Sequence, residues 1–347
     1  MKVLVTGANG HVGFNLCKAL LERGGFEVRA SVRSLDDEAK VAPVKALGGL
    51  ELVALNVRDA AQFEAAVAGI DTVFHVAATY AVFTGSAERA EEMVRDSVEG
   101  VELALRAAAK AGVRKVVLTS SIVSLPMVAP DAPPVTEADW RTEGMMLPYF
   151  RAKTEAERAA WRLSEELGVR LVTVLPGGVG GPGFFRRTPT IDIYEGIMLG
   201  SLRLGAPDAN FTYVDVRDVA TGHILAAEKD VTGRFILCDD VQPSFLEFSR
   251  LMHEIDPEVP AAPWLLPSFM FRFMPFFDAL NAKLIGSPRV ATAEGVAATK
   301  GLVYRTSNAR ARRELGWTPA FSLRESAKDM MLTIRALRRR EGKTRMI

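Results

Sequence analysis

The stretch VTGANGHVG, residues 5–13, places three glycines within seven positions. It follows an apolar, β-branched run at residues 3–5 that is typical of a buried strand. Glycine adopts positive φ angles without strain and lets neighbouring backbone approach closely, so the spacing indicates a tight turn. The chain is therefore predicted to begin with a strand, a tight turn and a helix.

Further along the chain, short apolar runs alternate with segments of helical length. Residues 96–112 and 154–168 carry apolar residues at helical spacing, and each segment ends on a glycine that suits a helix C-terminus. This alternation predicts an α/β fold of the Rossmann type, a doubly wound parallel sheet with a smaller C-terminal region. The core strands are predicted at residues 3–5, 28–32, 52–55, 73–76, 116–118 and 171–175, with further strand-like segments at 211–216 and 233–237.

The composition favours a small-molecule partner. The 43 Lys and Arg residues nearly balance the 42 Asp and Glu residues, so the basic surface of a nucleic-acid-binding protein is not expected. Cys17 and Cys238 are too few for a disulfide framework, which favours a reducing, cytoplasmic location. No secretory signal is recognised, and the apolar run at residues 264–277 contains two prolines and an arginine, so no transmembrane helix is expected.

The three glycines indicate a dinucleotide site once this context is known. Gly7 permits the tight turn, Gly10 lets the backbone approach a pyrophosphate, and Gly13 allows the helix to pack closely on the strand. The first N–H groups of the helix would face the negative charge of the ligand. A turn with a purely structural role is the alternative.

Arg33, at the end of the second predicted strand, indicates which dinucleotide binds. In dinucleotide folds this position contacts the adenosine ribose: an acidic residue accepts the 2′-OH of NAD, and an arginine pairs with the 2′-phosphate of NADP. A guanidinium can bind a phosphate in bidentate fashion. NADP is therefore predicted and NAD is disfavoured, although Arg33 could lie on the surface while Asp36 or Asp37 contacts a ribose.

YFRAK, residues 149–153, carries a candidate acid–base pair. Tyr149 and Lys153 are four residues apart, so both lie on one face of a helix and the ammonium can approach the phenol. A cation favours the ionised phenol and lowers a pKa that is ordinarily near 10. The hydroxyls of LTSS, residues 118–121, follow a core strand and would face the ligand crevice. Chance pairing on a solvated helix face, and an ordinary hydroxyl-rich strand end, are the alternatives.

Together these motifs resemble the extended short-chain dehydrogenase/reductases, the NAD(P)-dependent epimerase/dehydratase superfamily. The resemblance covers nearly the whole chain, and YFRAKTEAERAAW and DSVEGVELALRAA resemble most closely the group of dihydroflavonol reductase and cinnamoyl-CoA or aldehyde reductases. The segments that carry it are TGANGHVG (6–13), LTSS (118–121), YFRAK (149–153), LPGGVGGPG (175–183), FTYVDVRDVATGHILAAE (211–228) and ARRELGWTP (311–319).

The resemblance implies roles for individual residues. Tyr149 would protonate a substrate carbonyl oxygen as hydride arrives, Lys153 would hold the nicotinamide ribose and lower the pKa of the phenol, and Ser121 would hydrogen-bond the same oxygen. Ser121 is preferred to Ser120 or Ser124 because the family's catalytic hydroxyl usually closes such a triplet. The remaining cofactor-binding residues would be Gly7, Asn9, Gly10, His11, Val12, Gly13, Arg33, Asn56, Val57, Val76, Ala77, Ala78, Ser120, Pro176, Gly178 and Val179.

Two departures from the family pattern bear on the ligands. Asn56 stands where the family often has an aspartate that contacts adenine, so that contact is open. Sugar-nucleotide epimerases typically carry an asparagine after the strand matched by residues 171–175, and this chain reads PGGVGG there. The resemblance therefore implies NADPH-dependent reduction of an apolar ketone or aldehyde, or the reverse alcohol oxidation. A 3β-hydroxysteroid or sterol-type dehydrogenase, a sugar-nucleotide epimerase or dehydratase, and a nucleotide-binding regulatory protein are the alternatives.

The domain organisation is predicted from the alternation of strands and helices, which becomes irregular after Gly183. Residues 1–183 are predicted to form the dinucleotide-binding domain, with core segments returning near 211–240, and residues 184–347 mainly the substrate-binding region and C-terminal helices, the last at 323–335. The substrate pocket is predicted to involve loops near residues 80–84, 145–147 and 184–187. Oligomerisation as a homodimer stays open.

Residues 263–277, PWLLPSFMFRFMPFF, are interpreted as an apolar lid over the substrate pocket. Two internal prolines argue against a buried core helix, and six aromatic residues argue against a solvated loop. Phe269 and Phe273 are predicted to contact a large apolar substrate. Packing of the smaller region, and a dimer or membrane-surface contact, are the alternatives.

The remaining polar features predict no further site. The four histidines show no metal-ligand spacing, so no metal is expected. His11 lies within the glycine turn and is expected to be solvent-exposed. The basic tail at residues 335–347 is interpreted as a solvated terminus.

Overall fold

The computed structural model describes residues 1–78, 86–143, 147–286 and 291–343. Within these residues seven strands form one sheet with the order β3-β2-β1-β4-β5-β6-β9, and β7 pairs with β8 separately. The strands are β1 (Lys2–Val5), β2 (Glu27–Val32), β3 (Leu50–Ala54), β4 (Thr72–His75), β5 (Lys115–Thr119), β6 (Leu171–Pro176), β7 (Gly178–Gly180), β8 (Tyr213–Asp215) and β9 (Gly233–Leu237).

All neighbouring strands of the large sheet run parallel. The strands are short. Their central residues are mostly β-branched and are buried on both faces, as a parallel sheet covered by helices requires. The chain proceeds outward from β1 to β3 and then returns to β4 on the other side of β1. A crevice therefore opens at the carboxyl ends of β1 and β4, where ligands bind in such sheets. The predicted Rossmann-type fold is confirmed.

Helices cover both faces of the sheet and build the C-terminal region. Local signals fix several of their ends: Ser86 caps α4, Pro148 opens α5, and Gly168 ends α5 in the left-handed conformation. The helices are α1 (His11–Arg23), α2 (Glu38–Lys45), α3 (Ala60–Val67), α4 (Ala87–Lys110), α5 (Pro148–Leu167), α6 (Pro189–Met198), α7 (Val216–Glu228), α8 (Phe245–Ile255), α9 (Met274–Ile285), α10 (Ala293–Thr299) and α11 (Leu323–Arg340).

Three main apolar clusters hold these layers together. Side chains of α1 and α7 pack on one face of the sheet, and those of α3, α4 and α5 pack on the other. A third cluster joins α6, α8 and α11 around Tyr194, Tyr213 and Phe248. This last cluster places the C-terminal region beside the carboxyl ends of the strands, where the site must form.

Two predicted elements differ from the structure. Only Tyr213–Asp215 of residues 211–216 forms a strand, and it pairs with β7 rather than with the large sheet. This pairing depends on glycine, because a Cβ on Gly177 would lie 2.6 Å from the Thr212 carbonyl oxygen. The last helix continues to Arg340, since Leu337 and Arg338 are still buried against the C-terminal region. The division into two domains stays a prediction.

Over the described ranges, every helix is too short or too polar to cross a bilayer.

Candidate active site

The glycine turn joins β1 to α1 under tight steric constraint. Gly7 has φ 69°, and a Cβ there would lie 2.9 Å from Cα of Ala77. A Cβ on Gly13 would lie 2.2 Å from the Gly7 carbonyl oxygen, so the helix can start here only with glycine at that position. Gly10 precedes the helix and supplies no side-chain cap. The first N–H groups of α1 are therefore available to an anionic ligand.

Thr6, which sequence reasoning missed, positions the strand end beside this turn. Its Oγ1 accepts hydrogen bonds from the backbone N–H groups of Val76 and Ala77, both at 3.0 Å. The hydroxyl proton is then left for Nδ1 of His75, 3.2 Å away. Burial, assisted by the Lys153 charge, lowers the pKa of His75 to about 4, so the imidazole is neutral and can accept that proton. Residues 76–78 are thereby held next to Gly7.

His11 is buried, contrary to the expected solvent exposure. Its Nε2 lies 2.9 Å from the Pro182 carbonyl oxygen, and its ring meets Phe184 edge-on at 5.1 Å. Burial lowers the pKa of His11 to about 4, so the neutral ring donates its Nε2–H to Pro182. Asn15 adds a 3.1 Å hydrogen bond to the same carbonyl. The sequence pattern predicts an exposed His11, but a loop about 170 residues later in the chain covers this residue.

Three serines follow β5, and among the described residues only Ser121 lines the crevice without donating its hydroxyl to a side chain or a carbonyl. Ser120 donates a 2.6 Å hydrogen bond to Glu157, which Arg234 also contacts. Ser124 is fully buried and donates to the Ser121 carbonyl oxygen at 2.9 Å. The Ser121 hydroxyl accepts only a long, 3.3 Å contact from the Val123 N–H, so its proton remains available. The Ser120 hydroxyl is committed, and a cofactor contact by this residue would involve its other atoms.

Tyr149 and Lys153 lie one turn apart at the start of α5. The Lys153 ammonium donates a 3.0 Å hydrogen bond to the Thr119 carbonyl oxygen at the end of β5. Burial lowers the pKa of Lys153 to about 8, and the Glu157 charge opposes this shift. The Tyr149 ring packs against Met93, Val94 and Ala152. One helix turn and one strand end thus place a phenol, an ammonium and the Ser121 hydroxyl on the same crevice.

A single cavity of about 610 Å³ contains every site residue predicted from the sequence. Their roles in binding and catalysis stay predictions. The predicted residues on its wall are Gly7, Asn9, Gly10, His11, Val12, Gly13, Arg33, Asn56, Val57, Val76, Ala77, Ala78, Ser120, Ser121, Tyr149, Lys153, Pro176, Gly178 and Val179.

A second cavity, of about 900 Å³, adjoins the first. Tyr149 lies on the wall of both, together with Val123, Ile193, Phe211, Phe245 and Tyr304. Its wall is mainly apolar and includes Leu147, whereas residues 80–84 and 145–146 lie outside the described residues. Of residues 184–187, only Arg186 lines a cavity, and it is the first one. The prediction that this loop borders the substrate pocket stays a prediction.

The proposed lid segment is helical and has two distinct faces. A short 3-10 turn (Ser268–Phe273) leads into α9, whose early proline occupies the first turn, where no backbone donor is needed. Met270, Met274 and Phe277 line the second cavity. Phe269 and Phe273 are exposed to solvent and lie on the wall of neither cavity. The structure therefore disagrees with the prediction that these two phenylalanines contact a substrate in the pocket.

Sequence reasoning also missed three cations on the wall of the first cavity, Lys40, Arg58 and Arg186. Lys40 pairs with Asp37, which caps α2. Arg186 lies against the glycine turn, 3.6 Å from where a Cβ of Gly10 would be. None of the three belongs to a recognisable motif, and Arg186 comes from a distant loop, so no local pattern marks it. Among the described residues, no three His, Cys, Asp or Glu side chains are grouped as a metal site would need.

Comparison with known proteins shows the family of the chain. The model of the NAD dependent epimerase/dehydratase family matches residues 3–237. Cinnamoyl-CoA reductase 1 of Arabidopsis thaliana is 35% identical over 272 residues, covering 74% of this chain and 76% of that protein. Anthocyanidin reductase ((2S)-flavan-3-ol-forming) of Vitis vinifera is 31% identical over 256 residues, covering 67% and 75%.

The fold is likewise shared with solved structures. The crystal structure of gox2253 superposes with a TM-score of 0.79 at 27% identity and covers 98% of each chain. The family match covers the glycine turn, both residues of the Tyr149–Lys153 pair and all strands of the large sheet. The chain therefore belongs to the NAD-dependent epimerase/dehydratase family, the extended short-chain dehydrogenase/reductases, and within it to the group similar to dihydroflavonol reductase.

Proposed function

We propose that this enzyme reduces the carbonyl group of an uncharged, apolar aldehyde or ketone with NADPH, and that Tyr149 donates the proton. The observation that carries the proposal is the position of Tyr149 on the shared wall of two cavities. One cavity is built around the glycine turn, and the other is mainly apolar. A group at their junction can reach a substrate carbonyl and a cofactor at once.

The chemistry divides among few groups. When bound, a nicotinamide supplies a hydride to the carbonyl carbon. Tyr149 transfers its phenolic proton to the carbonyl oxygen, which forms the alcohol and leaves a phenolate that solvent later reprotonates. The Lys153 cation, fixed by the Thr119 carbonyl, stabilises that phenolate. The Ser121 hydroxyl donates a hydrogen bond to the same carbonyl oxygen and orients it. Alcohol oxidation runs through the same groups in reverse.

The first cavity fits a dinucleotide with an extra phosphate. Arg33 and Arg186 both lie on its wall, and neither forms a hydrogen bond or ion pair with another described residue. Partial burial, followed by the Arg33 charge, lowers the pKa of Arg186, so the two guanidinium groups are close enough to repel. An anion between them would relieve this repulsion. We infer that Arg33 binds the 2′-phosphate and that Arg186, beside Gly10, binds the pyrophosphate.

The acidic residues near Arg33 are already engaged, which disfavours a bare ribose. Asp37 accepts the Lys40 backbone N–H at the start of α2 and pairs with the Lys40 ammonium. These contacts lower the pKa of Asp37, the Lys40 side chain contributing most. Asp36 accepts a 2.9 Å hydrogen bond from Ser34. Asp36 does not lie on the wall of the first cavity, and the charge of Asp37 is balanced by Lys40, whereas Arg33 lies on the wall without such a partner, so we infer that NADPH is preferred to NADH.

The second cavity indicates the substrate class. The carboxylates on its described wall are Glu91, Asp278 and Glu294, and the cation is Arg151, which is paired with Glu91. Such a wall would repel the phosphates of a coenzyme A thioester or a sugar nucleotide. Asn210 donates a 3.2 Å hydrogen bond to the Tyr304 carbonyl, while its buried Oδ1 has no donor among the described residues. We infer an apolar substrate that also offers one hydroxyl or amide donor to Asn210.

A substrate panel tests this proposal. Purified enzyme with NADPH would be offered uncharged aromatic or terpenoid aldehydes and ketones, coenzyme A thioesters and UDP-sugars, with NADPH absorbance as the readout. We expect turnover of the uncharged carbonyl compounds only. Among pairs of substrates with and without a hydroxyl, Asn210→Ala should lose the preference for the hydroxylated member. Turnover confined to coenzyme A thioesters or UDP-sugars would overturn the proposed substrate class.

A further inference from the structure

The outer face of the lid segment carries a continuous apolar stripe. Of the eleven large hydrophobic side chains that are exposed among the described residues, seven lie between residues 264 and 284, in the lid segment and the remainder of α9. On the 3-10 turn and α9 they recur at steps of three or four residues, which places them on one helix face. The seven are Trp264, Leu265, Phe269, Phe273, Phe276, Leu280 and Leu284.

The charges on this stripe have one sign. Arg272 and Lys283 are exposed on it, and neither forms an ion pair with a described residue. Asp278 is the one carboxylate in residues 264–286, and it lies on the wall of the second cavity, where it accepts a 3.3 Å hydrogen bond from the Ala291 N–H. The outward face therefore combines aromatic and aliphatic side chains with cations alone. This combination is typical of helices that lie in a membrane interface.

We propose that the segment from Trp264 to Leu284 docks on an anionic lipid surface, with its apolar stripe in the interface and Arg272 and Lys283 at the headgroups. Contact with a second copy of the chain fits less well. A two-fold interface through this stripe would bring four cations together without a carboxylate in the stripe to pair with them. An anionic bilayer supplies both the apolar phase and the negative charge.

The position of the segment beside the second cavity suggests a route by which a substrate could enter. Met270, Met274 and Phe277 on its inner face line the second cavity, so a docked segment would lie between that cavity and the lipid. An apolar substrate could then enter from the bilayer rather than from water. This consequence rests on the proposed function, whereas the docking itself does not.

Vesicle co-sedimentation of the full chain tests the docking. The probes are phosphatidylcholine vesicles with and without about one third phosphatidylglycerol. The double variant Phe269→Ser/Phe276→Ser removes two stripe residues that are 64% and 65% exposed, so folding should be preserved. Leu332→Ser, at a 54% exposed position on α11, is the matched control. NADPH binding and thermal unfolding of each variant report on the fold.

We expect wild type and Leu332→Ser to bind the anionic vesicles alike, and the double variant to bind about tenfold or more weakly. Arg272→Gln/Lys283→Gln should lose the preference for anionic over neutral vesicles. Wild-type chain that stays in the supernatant, or a double variant that binds as wild type does, would overturn the proposal. A concentration-dependent dimer that the double variant abolishes, without vesicle binding, would assign the stripe to a second copy. Failure to turn over any carbonyl would instead count against the proposed function.

Discussion

The Lys153 ammonium donates a hydrogen bond to the Thr119 carbonyl oxygen, while burial lowers its pKa to about 8. The cation is therefore present below about pH 8 and is lost as the pH rises through that value. If the cation supports proton transfer by Tyr149, kcat/KM should be level near neutral pH and fall above about pH 8. Steady-state assays across this range, with circular dichroism to show that the chain stays folded, provide the check. A kcat/KM that is unchanged up to about pH 10 would exclude this role.

Arg33 and Arg186 should separate the two phosphate contacts of the cofactor. Arg33→Ala should weaken the binding of NADPH and leave the affinities for NADH and ADP unchanged, because only the contact with the 2′-phosphate is lost. Arg186→Ala should weaken all three ligands alike, because each carries a pyrophosphate. A charged hydrogen bond of about 1.5–3 kcal/mol corresponds to roughly 10- to 150-fold in Kd.

Calorimetric titration of the two variants with the three ligands measures these losses. Equal losses of NADPH and NADH in Arg33→Ala would show that Arg33 acts through the fold. A wild-type preference for NADH would reject the NADPH assignment. Arg186→Ala with unchanged ADP affinity would remove Arg186 from the pyrophosphate site.

Residue types at fixed spacing were predictable, and residues brought in by the fold were not. Gly7, Tyr149 and Lys153 stand in local patterns whose steric or electrostatic purpose can be deduced from the sequence. Arg186 reaches the glycine turn from a loop more than 170 residues away, so no local pattern marks it. His11 was expected to be exposed for the same reason, since the loop that buries it is distant in sequence.

At the scale of elements, the two faces of the lid segment should have different effects on catalysis. Phe277→Ser removes a side chain from the wall of the second cavity, and Phe273→Ser removes one from the outer face. Loss of an apolar contact of about 1.5–3 kcal/mol should raise KM for a large apolar carbonyl about tenfold or more in the first variant. The second variant should keep the wild-type KM in detergent-free solution.

Steady-state kinetics with one large and one small carbonyl substrate measure this difference, and KM for NADPH serves as the control. A raised KM in Phe273→Ser but not in Phe277→Ser would reverse the assigned faces. A large fall in Tm for Phe277→Ser would indicate that this side chain packs the C-terminal region rather than the substrate.

The lid also shows why this element was harder to predict than the strands. Core strands are short, rich in β-branched residues and bounded by helices, so their pattern is typical of a buried strand and of little else. Residues 263–277 carry apolar side chains on both faces, and a pattern in which only Ser268 and Arg272 are polar does not indicate which face is inward. The prolines argued against a helix, but Pro275 occupies the first turn of α9, where a helix tolerates it.

At the scale of the whole molecule, the topology followed from the alternation of strands and helices. The sequence could not place β8, because its partner is a glycine segment immediately after β6 rather than the edge of the large sheet. Nor could it show that two cavities meet at Tyr149, since their walls come from α4, α6, α8, α9 and α10 as well as from the sheet. That junction is a property of the folded chain, and the proposed catalytic mechanism depends on it.

The most direct measurement follows the transferred hydride with an isotope and tests the proton donor by substitution of Tyr149. NADPH deuterated at the transferable position of the nicotinamide would be incubated with an uncharged carbonyl substrate and either wild type or Tyr149→Phe, with mass spectrometry of the alcohol. We predict deuterium at the carbinol carbon with wild type, and a rate lower by about 10²- to 10⁴-fold with Tyr149→Phe at unchanged NADPH affinity. Deuterated alcohol formed by Tyr149→Phe at the wild-type rate would contradict the account.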